Sequence, residues 1–244
     1  MPKQPDINLN QQQLVTNNST DPMILPQAAL FDFDGTLGDS TWVWLDVDRV
    51  FLEKRGFVCD EEYIAKIRTT LFLDGARYTI ERFNLPETPE EVVAEWFDLA
   101  LDRYTHEVPL KPGVLEYLTK LKDNNIPFGI VTSSVAALCY PVLERYGIVE
   151  WFDFILTADD VPVSKTNPDV FLKAAELLDA TPNNIAIYED NIAAIRTAAK
   201  AGFLTVGVHD EHIATEWPFI KQEADWTIVD YGEAMNRAPF FDNF

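Results

Sequence analysis

The stretch AALFDFDGT, residues 28–36, decides how this chain folds. It is an apolar run that predicts a buried strand, interrupted by Asp32. An acid inside such a run costs free energy unless it serves a purpose. The period of a strand is two, so Asp32 and Asp34 can point the same way, and Gly35 allows a sharp exit. The alternative is an ordinary Asp-Gly turn with solvated acids.

Further apolar runs alternate with helical patterns along the chain. The predicted strands after the first cover residues 127–131, 152–156, 185–188, 204–208 and, more weakly, 226–229. The predicted helices cover residues 113–124, 136–146, 168–178 and 192–201. This alternation predicts an α/β fold with a Rossmann-like parallel sheet. Ligands of such sheets bind beyond the carboxyl ends of the strands, so the chemistry should lie there.

One long segment breaks the alternation immediately after the first strand. It contains four amphipathic helical patterns and no strand pattern, over residues 45–55, 60–68, 75–83 and 89–106. An insertion at this point should cover the strand ends as a cap. The sequence therefore predicts a disordered polar tail of residues 1–24, an α/β core of residues 25–43 and 109–244, and an α-helical cap of residues 44–108.

The charge of the chain limits its partners. Its 244 residues include 19 Lys and Arg against 40 Asp and Glu, which gives a formal charge of −21. Such an acidic surface repels nucleic acid and anionic membranes, so we expect neither as a partner. It would also repel a phosphorylated substrate unless the site supplies local positive charge. With no signal peptide or apolar span in the sequence, we expect a cytoplasmic protein. We also expect the protein to be a monomer.

Polar side chains gather where the predicted strands end. Asp32 and Asp34 close the first strand, and Glu189 and Asp190 close the fourth, which together make a hard-oxygen site that suits Mg²⁺. The hydroxyl and amide groups of Thr132 and Ser133 can hold phosphate oxygens, and Lys165 can neutralise them. Taken singly, these residues have plainer interpretations: helix caps, a helix N-terminal acid cluster and a surface lysine.

Taken together, these motifs resemble the haloacid dehalogenase (HAD) superfamily, in its β-phosphoglucomutase/phosphoglycolate-phosphatase-like branch with a helical cap. The first motif is matched by residues 32–37 (DFDGTL) and the second by residues 131–133 (VTS); Lys165 and the pair Glu189-Asp190 match the third and fourth. The chain departs from the family at Ser164 and Thr166, where Gly and Pro are usual, at Asn191 and at Ala194. These departures touch flanking positions and none of the charged groups.

The resemblance implies a mechanism. Asp32 would attack phosphorus to form an aspartyl-phosphate, and Asp34 would act as general acid and then as general base. Mg²⁺ would be held by Asp32, the backbone carbonyl of Asp34 and Asp190, with Glu189 helping through water. Thr132, Ser133 and Lys165 would bind the phosphoryl oxygens. The predicted function is hydrolysis of a small phosphorylated metabolite.

Three rival functions share some of these residues. A phosphomutase would share the whole core set, but the related mutases have a His and a Lys early in the cap, and residues 41–52 contain neither. A dehalogenase would not need Asp34. A phospho-Asp receiver domain would be about half this length and would lack the cap. Cap residues that could reach a substrate are Trp42, Trp44, Arg68, Arg77 and Tyr78, each of which could instead pack within the cap.

Overall fold

The computed structural model describes Met23 and residues 26–67, 70, 72–160 and 164–237. Most of the predicted tail, together with Arg68, lies outside the described residues. Met23, at the end of the predicted tail, is buried, and its N–H donates to the carbonyl of Arg237 at 3.2 Å. Within the described residues, no helix is both long and apolar enough to cross a membrane.

Six parallel strands form one sheet in the order β3-β2-β1-β4-β5-β6. The strand that carries the decisive stretch, β1, lies inside the sheet between β2 and β4. The bounds are β1 Ala28–Phe31, β2 Phe128–Val131, β3 Ile155–Leu156, β4 Ile185–Glu189, β5 Leu204–Val208 and β6 Trp226–Ile228. The predicted parallel α/β sheet is confirmed.

Helices cover both faces of this sheet. Alternate residues of β1 point to opposite faces, so Phe31 joins one apolar cluster while Leu30 joins the other. Within the described residues the helices are α1 Val43–Glu53, α2 Glu61–Ile67, α3 Phe72–Phe83, α4 Pro89–His106, α5 Val114–Asp123, α6 Ala136–Arg145, α7 Asp169–Leu177, α8 Ile192–Lys200, α9 Trp217–Glu223 and α10 Tyr231–Arg237. Both α7 and α8 bury residues in the cluster of Leu30, whereas α5, α6 and α10 bury theirs in that of Phe31.

Two strands, β1 and β3, are shorter than their apolar runs by two residues or more. The first ends at Phe31, because the carbonyl of Phe33 accepts the N–H groups of three following residues in a tight turn: Thr36, Leu37 and Gly38. The third keeps only Ile155–Leu156 at the sheet edge, since residues 149–151 form a 3₁₀ turn and the Asp153 carboxylate accepts the N–H of Phe128 at 3.0 Å. Both runs are apolar because most of their side chains are buried, and burial alone does not require strand conformation.

Helices α1–α4 occupy the segment predicted to form the cap. The last of them begins with a capping box, in which Thr88 and Glu91 each bond to the backbone N–H of the other. Its buried residues recur every four positions, at Val92, Trp96, Ala100 and Tyr104, which places them on one stripe. At its other end, the guanidinium of Arg145 on α6 donates to the carbonyl of Thr105 at 2.5 Å and to two neighbouring carbonyls. The helical segment is thereby fastened to the sheet layer.

Candidate active site

Three carboxylates meet at the carboxyl ends of β1 and β4. Asp32 follows β1, Glu189 ends β4 and Asp190 comes next, so that one ligand oxygen from each lies within 4.8 Å of the others. The neighbouring strands hold them together, since the N–H of Asp32 donates to the carbonyl of Tyr188 at 3.0 Å. All three side chains are buried.

The buried ammonium of Lys165 pairs with two of these carboxylates. Its Nζ donates to Glu189 at 2.9 Å and to the Oδ1 of Asp32. Burial alone would lower the pKa of Lys165, but the charges of Asp32 and Glu189 outweigh burial and raise it. Lys165 is therefore a fixed cation beside Asp32.

One ammonium does not balance three buried carboxylates. Burial, followed by the charge of Glu189, raises the pKa of Asp32 to about 7. The same two causes raise the pKa of Asp190 well above its ordinary value. A further cation would relieve this repulsion, and three carboxylate groups form the oxygen donor set that Mg²⁺ prefers. The donor set therefore fits the expected metal.

Gly35 makes room for this cluster. Its φ is +74°, and a Cβ atom placed there would lie 2.0 Å from the Oδ2 of Asp190. No other residue type fits this position without displacing Asp190, because both the backbone conformation and the space exclude a side chain. Asp34 and Gly35 thus form a turn, as the plainer interpretation predicts. The same turn leaves room for the carboxylate of Asp190, which belongs to the fourth motif.

Asp34 lies outside the three-carboxylate cluster. Its Oδ1 accepts two hydrogen bonds, from the hydroxyl of Ser40 at 2.6 Å and from the phenol of Tyr104 at 2.5 Å. Since β1 ends before Asp32, the strand period does not align the two acids. Burial and then the charge of Asp34 raise the pKa of Tyr104 well above its ordinary value, so this phenol is a donor at neutral pH. Sequence reasoning missed Tyr104, whose only signal was a tyrosine on the apolar stripe of α4.

A cavity of about 790 Å³, here called the reaction cavity, opens over these groups. It brings together every predicted core residue of the site: Asp32, Asp34, Thr132, Ser133, Lys165, Glu189 and Asp190. Thr132 is buried, and its hydroxyl accepts the N–H of Ser134 at 3.0 Å, while Ser133 is exposed. Residues of the helical segment, including Phe72, Val93 and Phe97, line the opposite side of the cavity.

A second cavity of about 450 Å³, here called the cap cavity, adjoins the first. The two share Asp34, Thr41, Trp44, Phe72 and Ile213 in their linings. The cap cavity extends among α1–α4, where apolar side chains predominate. The two cavities therefore adjoin at the turn after β1 and the start of α1.

The cap residues predicted to contact substrate divide into two groups. Trp44 lines both cavities. Trp42 lines neither cavity and donates its indole N–H to the carbonyl of Asp39 at 2.8 Å, while Arg77 forms an exposed ion pair with Asp74 at 2.7 Å. Residues two apart on a helix point to different sides, so Trp42 and Trp44 do not act as a pair. The remaining candidate in the described residues, Tyr78, lines neither cavity and packs against Tyr63.

Comparison with known proteins places this geometry in a family. Residues 29–208 match the family of haloacid dehalogenase-like hydrolases, and the chain belongs to that family. Within the family, its relatives are phosphatases and a β-phosphoglucomutase, the branch that the motifs predicted.

Two curated relatives illustrate this branch. The phosphoglycolate phosphatase of Nitrosococcus oceani is 31% identical over 74% of this chain and 83% of its own. The β-phosphoglucomutase of Bacillus subtilis is 29% identical over 75% of this chain and 83% of its own. Among solved structures, a HAD hydrolase of family IA, variant 3, from Entamoeba histolytica has a TM-score of 0.68 at 26% identity, covering 84% of this chain and 94% of the other.

Proposed function

We propose that this protein is a Mg²⁺-dependent phosphatase that transfers the phosphoryl group of a small metabolite to Asp32 and then to water. The observation that carries the proposal is a buried Asp32 carboxylate that faces a cavity, flanked by Lys165 and two further carboxylates. A nucleophilic carboxylate splits phosphate hydrolysis into two steps through a covalent intermediate.

The residues that would hold Mg²⁺ are Asp32, Glu189 and Asp190, with the backbone carbonyl of Asp34. When bound, the metal supplies positive charge that offsets the repulsion between a carboxylate nucleophile and a phosphate dianion. This charge is needed here, because the whole chain carries −21 and would otherwise repel the substrate.

The chain's own residues divide the remaining work. Lys165 holds a phosphoryl oxygen beside Asp32, and the hydroxyl of Thr132 and the backbone at Ser133 hold the others. Asp34 gives a proton to the leaving oxygen in the first step and takes one from water in the second. Because its Oδ1 already accepts two hydrogen bonds, the proton is carried on Oδ2. The helices of the cap exclude bulk water and orient the leaving group.

The direct test is phosphate release from p-nitrophenyl phosphate and from a panel of phosphorylated metabolites. Turnover should require Mg²⁺, should stop after removal of metal by EDTA and should return on addition of Mg²⁺. Ca²⁺ should restore little of it, because its larger and looser coordination spoils in-line attack. Full activity in the metal-free protein would contradict the assignment of the carboxylate cluster.

The phosphomutase remains the alternative among enzymes, because a mutase is among the curated relatives. Product analysis separates the two: a phosphatase releases inorganic phosphate stoichiometrically, whereas a mutase returns an isomeric phosphate ester. A phospho-Asp receiver domain is disfavoured by the helical segment of residues 43–106 that covers Asp32. It stays a prediction that the protein is a monomer, that it lies in the cytoplasm and that it binds no nucleic acid.

A further inference from the structure

We propose that the cap cavity binds an uncharged, hydroxyl-bearing leaving group, and that Asp48 rejects substrates that carry a second anion at that end. The inference rests on the proposed phosphatase function and names its substrate class. It also separates this chain from enzymes whose substrates have a carboxylate or a second phosphate far from the reacting phosphorus.

Asp48 on α1 is the one acid of the cap cavity besides Asp34, among the described residues that line it. Its carboxylate is buried, and its Oδ1 accepts a hydrogen bond from the phenol of Tyr63 at 3.0 Å. Tyr63 is itself held by the hydroxyl of Thr79 at 2.9 Å. No described residue donates to the Oδ2 of Asp48. A carboxylate oxygen that lines a cavity and has no donor attracts a ligand hydroxyl and repels a ligand anion.

Trp96 on α4 lines the same cavity and is 4% exposed. Its indole N–H has no acceptor among the described residues, and the nitrogen is enclosed by protein. The Oδ2 of Asp48 is therefore the acceptor to which a ligand hydroxyl can donate.

The rest of the cap cavity suits an uncharged body. Apolar side chains line it, among them Trp44, Ile64 and Phe72, and its described lining contains no lysine or arginine. The aromatic rings offer flat apolar faces on which a saturated ring or chain can pack. An anion that entered this cavity would lose its water without meeting a lysine or arginine of the described lining, and it would face Asp48.

Two six-carbon esters test this inference, because they differ in one group. Sorbitol 6-phosphate ends in a hydroxymethyl group, and 6-phosphogluconate carries a carboxylate at the same carbon. We expect kcat/KM for sorbitol 6-phosphate to exceed that for 6-phosphogluconate at least tenfold at pH 7.5. Asp48→Asn should reduce this ratio to within about threefold, chiefly by improving 6-phosphogluconate.

A control variant separates a local effect from the acidity of the whole protein. Glu116→Gln removes one negative charge from an exposed position that lines neither cavity, and it should leave the ratio unchanged.

The outcomes distinguish the inference from the proposed function. Absence of Mg²⁺-dependent p-nitrophenyl phosphate turnover would remove the proposed function itself. Normal turnover of that ester with equal kcat/KM for the two six-carbon esters would overturn the inference alone. A ratio that survives in Asp48→Asn, or that falls equally in Glu116→Gln, would also overturn it.

Discussion

The smallest unit that controls the proposed chemistry is the contact between Asp34 and Tyr104. The two residues are 70 positions apart, one in the turn after β1 and the other on α4, and their oxygens are 2.5 Å apart. Together with Ser40, Tyr104 fixes one oxygen of the carboxylate and leaves the other to transfer the proton. In the proposed mechanism, Tyr104 would thus be a positioning residue that links the helical segment to the general acid, Asp34.

Tyr104→Phe should lower kcat for an alkyl phosphate about tenfold, because a misplaced general acid protonates the leaving oxygen less well. The loss should be smaller for p-nitrophenyl phosphate, whose leaving group needs little protonation. Steady-state kinetics on both esters measure the difference. Tyr140→Phe, which removes a phenol that lines neither cavity, is the matched control. Equal losses on both esters would contradict a role through Asp34.

Asp48 makes the stability of the protein depend on pH. Burial raises its pKa from 3.8 to about 6, although the hydrogen bond from Tyr63 acts in the opposite direction. The folded state therefore holds the proton more tightly than the unfolded state, and this group destabilises the fold as pH rises from about 4 to 6.

Asp48→Asn should accordingly be more stable than the wild type above pH 6, by about 3 kcal/mol, with the difference vanishing near pH 4. Urea unfolding of both proteins across this range measures it. A difference that stays constant with pH, or one of opposite sign, would show that the carboxyl group does not titrate as its burial implies.

The sequence predicted the residues that follow strands, but of the described cap residues that line the cavities it predicted only Trp44. Asp32, Lys165 and Glu189 could be placed together because neighbouring parallel strands end at one edge of a sheet. Tyr104, Asp48 and Trp96 reach the site only through the packing of α1 and α4, which no local pattern specifies. Trp42 was chosen for its closeness along the chain to the first motif, and the turn of α1 directs it away.

Among the elements, two connections join the helical segment to the sheet, and both contact the same buried carboxylate. Asp210, after β5, accepts the hydroxyl of Thr41 at 2.9 Å and pairs with Lys111 at 2.9 Å. Thr41 lies just before α1, and Lys111 lies between α4 and α5. Both chain crossings are thus attached to the same carboxylate, which fixes where the cap begins and ends.

Asp210→Leu should destabilise the protein by about 3–5 kcal/mol, because it leaves the buried ammonium of Lys111 unpaired. The double variant Lys111→Met/Asp210→Leu should recover most of that loss, since neither charge then remains buried. Chemical denaturation of the wild type, both single variants and the double variant provides the cycle. A double variant no more stable than Asp210→Leu would show that the pair does more than balance charge.

Element boundaries followed from the sequence wherever a local rule governs them. Helix α4 was predicted from Pro89 to His106 and is observed with those bounds, because its capping box and charged last turn mark both ends. Helices α9 and α10 were not predicted.

At the scale of the whole molecule, sheet and cap share one continuous apolar core. The cluster that contains Phe31 and Phe33 also contains Phe51, Trp96 and Tyr104 of the helical segment. The predicted boundaries at residues 44 and 108 therefore separate segments of the sequence, but these segments do not pack as separate units. Residues of the helical segment and of the strand ends together line the reaction cavity.

In the proposed mechanism, Asp32 carries the phosphoryl group during turnover. The most direct measurement uses the variant Asp34→Asn with p-nitrophenyl phosphate and Mg²⁺, quenched in acid and analysed by peptide mass spectrometry. Its good leaving group lets Asp32 be phosphorylated, while the lost general base slows hydrolysis of the intermediate. The peptide that contains Asp32 should gain one phosphoryl group that hydroxylamine removes, and Asp32→Asn/Asp34→Asn should gain none. The proposed mechanism would be contradicted if the wild type releases phosphate but the Asp32 peptide of Asp34→Asn carries no phosphoryl group. A phosphoryl group on another residue would contradict it as well.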